Sequence, residues 1–316
     1  MVMDFWEAQR RARNKTIQCV IAFILLTLIV AVCSELAMRS FAQDSYDTPI
    51  PVVGLVFLGM TFGVAWFQYT MYKAYGGSYA AKSVNAYLVD PRTANALERQ
   101  LLNIVEEMAL AASVPVPPAY IIPADEINAF AAGLTPEDTV IAVTRGALRK
   151  LNREELQGVI GHEIGHVHNA DMKIGLRLAA MLMGFFFLIS IGFRVLQFSS
   201  FRGSDENKKG PNPIMLAAII LMVAGLITWF AGGILKAMVS RQREYLADAS
   251  AVQFTRSPSG IANALRKIGQ DQSNDMPKEG MALSHMYLND QSFWSNLFAT
   301  HPPLEKRIAI LEGRDV

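Results

Sequence analysis

The sequence predicts a mainly α-helical membrane protein, with about four transmembrane helices and a small α+β domain, and three observations carry that prediction. Hydrophobic residues make up 52% of the 316 and charged residues 18%, with a mean hydropathy of +0.24, which is apolar for a water-soluble chain. Four long runs are free of charged side chains. Between them lie mixed, polar stretches long enough for one modest soluble domain. Composition also excludes several classes. The 29 Lys+Arg nearly cancel the 28 Asp+Glu, for a net charge of +1, so the chain has no basic field for nucleic acid. Cys19 and Cys33, the two cysteines, fall in one apolar run, which provides neither a disulfide framework nor a cysteine-based zinc site. A metal here must be held by histidines and carboxylates.

Crossing about 30 Å of hydrocarbon takes about 20 apolar residues in a helix. Residues 16–34, 48–72 and 214–235 meet that length without a charge, while residues 178–193 form a shorter run bracketed by Arg177 and Arg194. The alternative for this third run is a hydrophobic hairpin with the fourth that dips into the bilayer without crossing. Lys and Arg in short flanking loops set orientation. Arg10, Arg11, Arg13 and Lys15 precede the first span, and Arg39 stands against Glu35, Asp44 and Asp47 after it, which predicts a cytoplasmic amino terminus. Lys73, Lys82, Arg92 and Arg99 then place residues 73–171 on the cytoplasmic side; Arg202, Lys208 and Lys209 in the later loop are a contrary signal. A cleaved signal peptide is the other reading of the first run, which is longer than a usual signal and has no clear small-residue cleavage site.

In the polar stretches, Leu97, Leu101, Ile104, Val105 and Met108 recur at helical spacing, predicting a helix over 91–113 that the proline-rich run 114–118 stops. Residues 119–122, 128–133 and 139–144 read as three short strands separated by Pro, Asp and Gly, hence a small sheet. A second helix opens at Asn152, with Glu155 three residues on as in a capping box, and runs to about Asn169. From Ala237 the chain is again helical, broken at 257–260 and by a polar loop at 273–280. The predicted division is residues 1–72 (tail and two spans), 73–173 (first part of the soluble domain), 174–240 (spanning or dipping hairpin) and 241–316 (second part).

On the second predicted helix stands His162-Glu163-Ile164-Gly165-His166, an H-E-x-x-H pattern. Histidines four apart share a helix face and can bind one zinc, and Glu163 can reach a water on that metal as general base. An accidental pair of histidines is the alternative, and three fixed residues make it the weaker one. His168 points off that face and reads as a surface or supporting residue. A catalytic zinc needs a third protein ligand. Glu244 and Asp248, at i and i+4, would let one carboxylate bind metal while the other accepts a ligand's N–H; alone, the pair reads rather as a solvated face offsetting Arg241 and Arg243. His285 reads as a packing or surface residue.

H-E-x-x-H, a hydrophobic hairpin, R-E-x-x-A-D at 243–248 and T-H-P-P-x-x-x-R-I at 300–308 together resemble the HtpX-type membrane zinc metalloproteases, relatives of the CAAX prenyl proteases. The start, Asp4 to Arg13, resembles bacterial members too, so the likeness covers nearly the whole chain. It implies one zinc per chain held by His162, His166 and Glu244, with Glu163 as base and proton shuttle and Asp248 supporting a ligating histidine, His162. It further implies that His301 stabilises the oxyanion, that Arg307 holds that region by an ion pair, and that Asn128, Ala129 and Phe130 lie along the cleft as an edge strand for an extended substrate; on the sequence alone that run reads equally as a plain core strand. The expected fold is a zincin-like α+β protease domain facing the cytoplasm from a multi-pass protein of the bacterial inner membrane. Expected partners are protein or peptide substrates, misfolded or unassembled membrane proteins among them, and the lipid bilayer; the oligomeric state is not indicated. With the sequence ending at Val316 soon after the His301 motif, no long carboxyl-terminal extension, and no partner-binding function housed in one, is expected. A dedicated processing protease for a lipidated tail and a non-catalytic zinc scaffold are the rival classes, and the intact Glu163 argues against the scaffold.

Overall fold

The computed structural model describes residues 5–42, 46–201, 212–271 and 301–314. Asp4, Asp44, Arg202, Lys208, Lys209, His285, Thr300 and the loop 273–280, singled out above, lie outside the described residues. Two compact units divide the chain: a helical unit of Ile17–Met71 and Leu176–Lys236, and a sheet unit of Met1–Thr16, Tyr72–Gly175 and Ala237–Val316.

Four helices are long and apolar enough to cross a membrane: α1 (Phe5–Phe41), α2 (Val52–Ser83), α6 (Asp171–Phe201) and α7 (Pro213–Thr255). The third is longer than the charge-free run 178–193 that marks it in the sequence. Neither Arg177 nor Arg194 ends α6, which runs for 31 residues, because a helix satisfies its own backbone and a long cationic side chain can reach away from the apolar layer. The guanidinium of Arg177 sits 5.9 Å from the Tyr69 ring centre, a cation–π contact within the helical unit. Helix α7 is likewise one unbroken element of 43 residues, since nothing between Leu235 and Thr255 is a Pro or Gly stop.

The helical unit turns Ile21, Leu25, Ile29, Leu55, Phe67, Leu226 and Ile227 outward, a surface suited to lipid. Inside it, the Phe185 ring stacks at 5.6 Å on Phe23 and 6.2 Å on Phe57. Its one buried carboxylate among the described residues, Glu35, accepts from Arg39 Nε at 2.9 Å, from the Tyr46 hydroxyl, and from the Val53 and Gly54 N–H groups that open α2.

In the sheet unit, β1 (Tyr87–Leu88), β2 (Ala119–Ile122), β3 (Ala129–Ala132) and β4 (Val140–Thr144) form a sheet in the order β1-β2-β4-β3, with β2 and β4 parallel and the outer strands antiparallel. Alternate residues face two cores: Ile121, Ala129, Ala131, Ile141 and Val143 toward α3 (Ala96–Ala112) and α5 (Arg153–His168), and Tyr120, Ile122, Phe130 and Ala142 toward Ala81 and Val84. Burial on both faces makes strands β2 to β4 read as continuous apolar runs rather than alternating ones. Helix α3 starts at 96 rather than 91, because Asn95 and Glu98 form a capping box there. The short α4 (Arg145–Lys150) and β1 carry no periodic signal and are absent from the sequence prediction. Helix α5, capped by Asn152 and Glu155, packs on α3, on β3 and on α8 (Ser259–Gln270), and α9 (Leu304–Leu311) covers α8.

Candidate metal centre

Helix α5 is buried on nearly every side along its second half, and it carries His162 and Glu163 inward with it; both are buried. Helix α7 comes close enough to complete the site because residue 165 is glycine. A Cβ there would stand 3.0 Å from Ser250 Cβ and 3.1 Å from the Ala247 carbonyl oxygen.

Glu244, one turn before Asp248 on α7, meets the two histidines. Its Oε1 is 3.4 Å from His166 Nε2, its Oε2 is 3.6 Å from His162 Nε2, and the two Nε2 atoms are 3.2 Å apart. Each ring donates from its other nitrogen: His162 Nδ1 lies 2.9 Å from Asp248 Oδ1, and His166 Nδ1 lies 3.0 Å from Asp171 Oδ2. With Nδ1 protonated in both, the 3.4 Å approach of Arg307 Nη2 to His162 Nδ1 is donor against donor and binds nothing. Both Nε2 lone pairs then point at one spot beside a carboxylate. A tetrahedral metal with nitrogens at 2.0–2.1 Å separates two such atoms by about 3.3–3.4 Å, so the spacing fits.

Charge gives a second test of fit. Around the histidines, among the described residues, Glu163, Asp171, Glu244 and Asp248 are buried against two buried guanidiniums, Arg243 and Arg307. With neutral imidazoles, four negative charges against two positive ones leave a deficit that one divalent cation fills, and buried charge is stable only when paired or metal-bound. Glu244 Oε2 stands 2.8 Å from His301 Nδ1 and 3.1 Å from Arg307 Nη1. None of these contacts has hydrogen-bond geometry, and all three atoms and His301 Nε2 are buried without a hydrogen-bond partner. Glu244 Oε2 is thus a buried acceptor left without a hydrogen bond beside the two Nε2 atoms, and it can serve a cation there.

Burial pushes the Glu163 carboxyl above its ordinary range, although the two histidines pull it back. For His166 burial acts downward, but Asp171 and then Glu244 overcome it and hold the imidazole's proton affinity well above the usual value; the same carboxylates favour any cation at Nε2. Arg307 is fully buried and grips Asp248 with two parallel bonds, Nε to Oδ2 at 2.8 Å and Nη2 to Oδ1 at 2.6 Å.

The structure brings His162, Glu163, His166, Glu244, Asp248, His301 and Arg307 together. Asn128, Ala129 and Phe130 sit at the sheet edge beside α5, where Ala131 N–H donates to Glu163 Oε2 at 2.9 Å. The Phe130 ring itself turns into the opposite core. Asn128 Oδ1 accepts the N–H of Ala129 at 2.9 Å. His168 lies at neither the metal site nor a purely wet surface: its Nδ1 is 3.1 Å from the Ala112 carbonyl and its ring stands edge-on to Phe254. Two residues escaped sequence reasoning, Asp171 behind His166 and Arg243, whose Nη1 donates to Asp171 Oδ1 at 2.5 Å. The available signal was an acidic residue just past the H-E-x-x-H helix and an arginine directly before Glu244.

A mainly helical membrane protein whose H-E-x-x-H helix meets a glutamate from a second helix is a membrane-integrated metalloprotease by class. The chain belongs to peptidase family M48, whose profile matches residues 95–315. It is 34% identical over 310 residues to the "Protease HtpX homolog" of Ligilactobacillus salivarius, covering 96% of this chain and 98% of that one. A second "Protease HtpX homolog", from Streptococcus pyogenes, is 34% identical over 315 residues, covering 98% of this chain and all of the relative. The crystal structure of S. mikatae Ste24p shares the fold at 18% identity, with a TM-score of 0.52 over 94% of this chain and 67% of that one.

Proposed function

We propose that this metalloprotease is a zinc-dependent endopeptidase of the bacterial inner membrane, with its sheet unit in the cytoplasm, that degrades misfolded or unassembled membrane proteins. The observation that carries the reading is the convergence of His162 Nε2, His166 Nε2 and a Glu244 carboxylate with all ligand atoms within 4.8 Å. Zinc, once bound there, supplies Lewis acidity toward a carbonyl and lowers the pKa of a water. Glu163, buried and raised in proton affinity, takes a proton from the attacking water and delivers it to the leaving amine. Its Oε2 is steadied by Ala131 N–H, which leaves Oε1 for the proton. His301, whose ring nitrogens are buried and unbonded, donates to the oxygen on which negative charge develops. Edge strand β3 aligns an extended segment by its backbone, which accepts many sequences, and this supports a broad protein substrate rather than one tail. The four-part division of the chain goes with the reading: residues 73–173 and 241–316 bring the two halves of one site, and residues 1–72 and 174–240 anchor them.

The test pairs zinc content with casein cleavage in detergent-solubilised protein. Wild type and Glu163→Gln should each hold about one zinc, and the variant should lose about 10²–10⁴-fold in turnover; a chelator should abolish cleavage by wild type. Equal cleavage by Glu163→Gln would sink the base assignment. Preference for a lipidated peptide over casein would replace the quality-control role with dedicated processing.

A further inference from the structure

His162 and His166 are each backed by an aspartate and an arginine, yet the two sets are not alike. Arg307 holds Asp248 with a bidentate grip. Arg243 touches Asp171 through Nη1 alone, and its Nε stays buried without a partner. A buried, unsatisfied donor is costly, so the one-sided grip is not what an arginine placed only for stability would adopt. It leaves Asp171 Oδ2 wholly for His166 Nδ1, 3.0 Å away. Asp171 is five residues beyond His166, too far along a regular helix to face it. The chain brings it back by ending α5 at His168 and turning through Ala170, which adopts φ +55°. A left-handed alanine costs about 1–2 kcal/mol, and such strain persists only where surrounding contacts hold it. Asp171 and Arg243 are both buried, and the side chain they serve is the more open of the two, 17% exposed for His166 against 2% for His162.

We propose that Asp171 and Arg243 are a positioning pair for His166, which fixes the imidazole with Nδ1 protonated and Nε2 aimed inward and so sets how long the metal stays bound. The inference rests on the reading of His162, His166 and Glu244 as ligands. Arg243 acts through Asp171, and it precedes Glu244 directly on α7, so one short piece of helix supplies the third ligand and orients the second.

The experiment measures zinc release from the full-length, detergent-solubilised protein to a chromogenic chelator, alongside thermal melting. Asp171→Asn keeps an acceptor for Nδ1–H but loses the charge; release should become about 10–100-fold faster, the usual cost of losing a partner behind a metal-ligating histidine. Arg243→Lys keeps a charge but loses the guanidinium and should speed release by a few-fold. The double variant should match Asp171→Asn within about twofold if Arg243 works through Asp171. A merely structural pair would lower the melting temperature and leave release unchanged. Wild-type release from folded Asp171→Asn therefore overturns the inference alone, and if that variant does not fold, wild-type release from Arg243→Lys does the same. A wild-type chain that binds no zinc, or His166→Ala binding it as tightly as wild type, overturns the ligand reading and the inference with it.

Discussion

The helical unit and the sheet unit bury opposite kinds of side chain. Among the described residues the helical unit holds one buried charge, Glu35, answered by an arginine, a tyrosine and two backbone N–H groups. The sheet unit gathers four carboxylates and two arginines around two histidines. The first unit is built by shape, with apolar surface inside and out. The second accepts buried charge at one point, where each charge is stable only through its partners. Charge buried at that density departs from the rule that charged side chains stay near the surface, and such departures mark functional sites.

Arg307→Met should break this contrast most. It leaves Asp248 and Glu244 facing no cation from α9, and uncompensated buried charge costs about 3–5 kcal/mol; a melting temperature within 2 °C or so of wild type would contradict it. A matched pair sharpens the comparison further. Phe130 and Phe185 are both buried, one in each unit. Phe130→Ala should cost about 3–5 kcal/mol, because transfer from water and the cavity both count. Phe185→Ala should cost less than half of that, because lipid tails are as apolar as the interior and only packing is lost. Equal losses, read by proteolytic susceptibility, would remove the distinction. The smallest effect belongs to Glu35→Gln, which keeps the shape but removes the charge on the bond from Arg39 and on the cap of α2. About 1–2 kcal/mol is expected, with zinc content unchanged.

Much of this contrast is legible in the sequence, for physical reasons that differ by residue. His162 and His166 are legible because a helix fixes where i and i+4 side chains go, and three of the spans because lipid demands length. Strands β2 to β4 are legible from their punctuation, since two-sided burial erases alternation. The ends of α6 are not, because Arg177 and Arg194 look like boundaries until a helix is seen to carry them outward. Asp171 is hidden more deeply. Its return to His166 depends on a left-handed alanine at 170, a conformation that no residue preference announces, and the role of Arg243 depends in turn on Asp171.

The close approach at Gly165 has a consequence for which ion the protein can hold. The ligand atoms sit on side chains, but the absence of a side chain at residue 165 lets the helices that carry them, α5 and α7, approach closely. That approach goes with ligand atoms 3.2–3.6 Å apart. The spacing suits bonds of about 2.0–2.1 Å better than the roughly 2.3–2.6 Å of a larger ion. Gly165→Ala should relax the choice, raising the affinity for cadmium relative to zinc in direct competition, with an unchanged ratio as the contrary result. A residue without a side chain thus governs how near two ligand-bearing helices can stand.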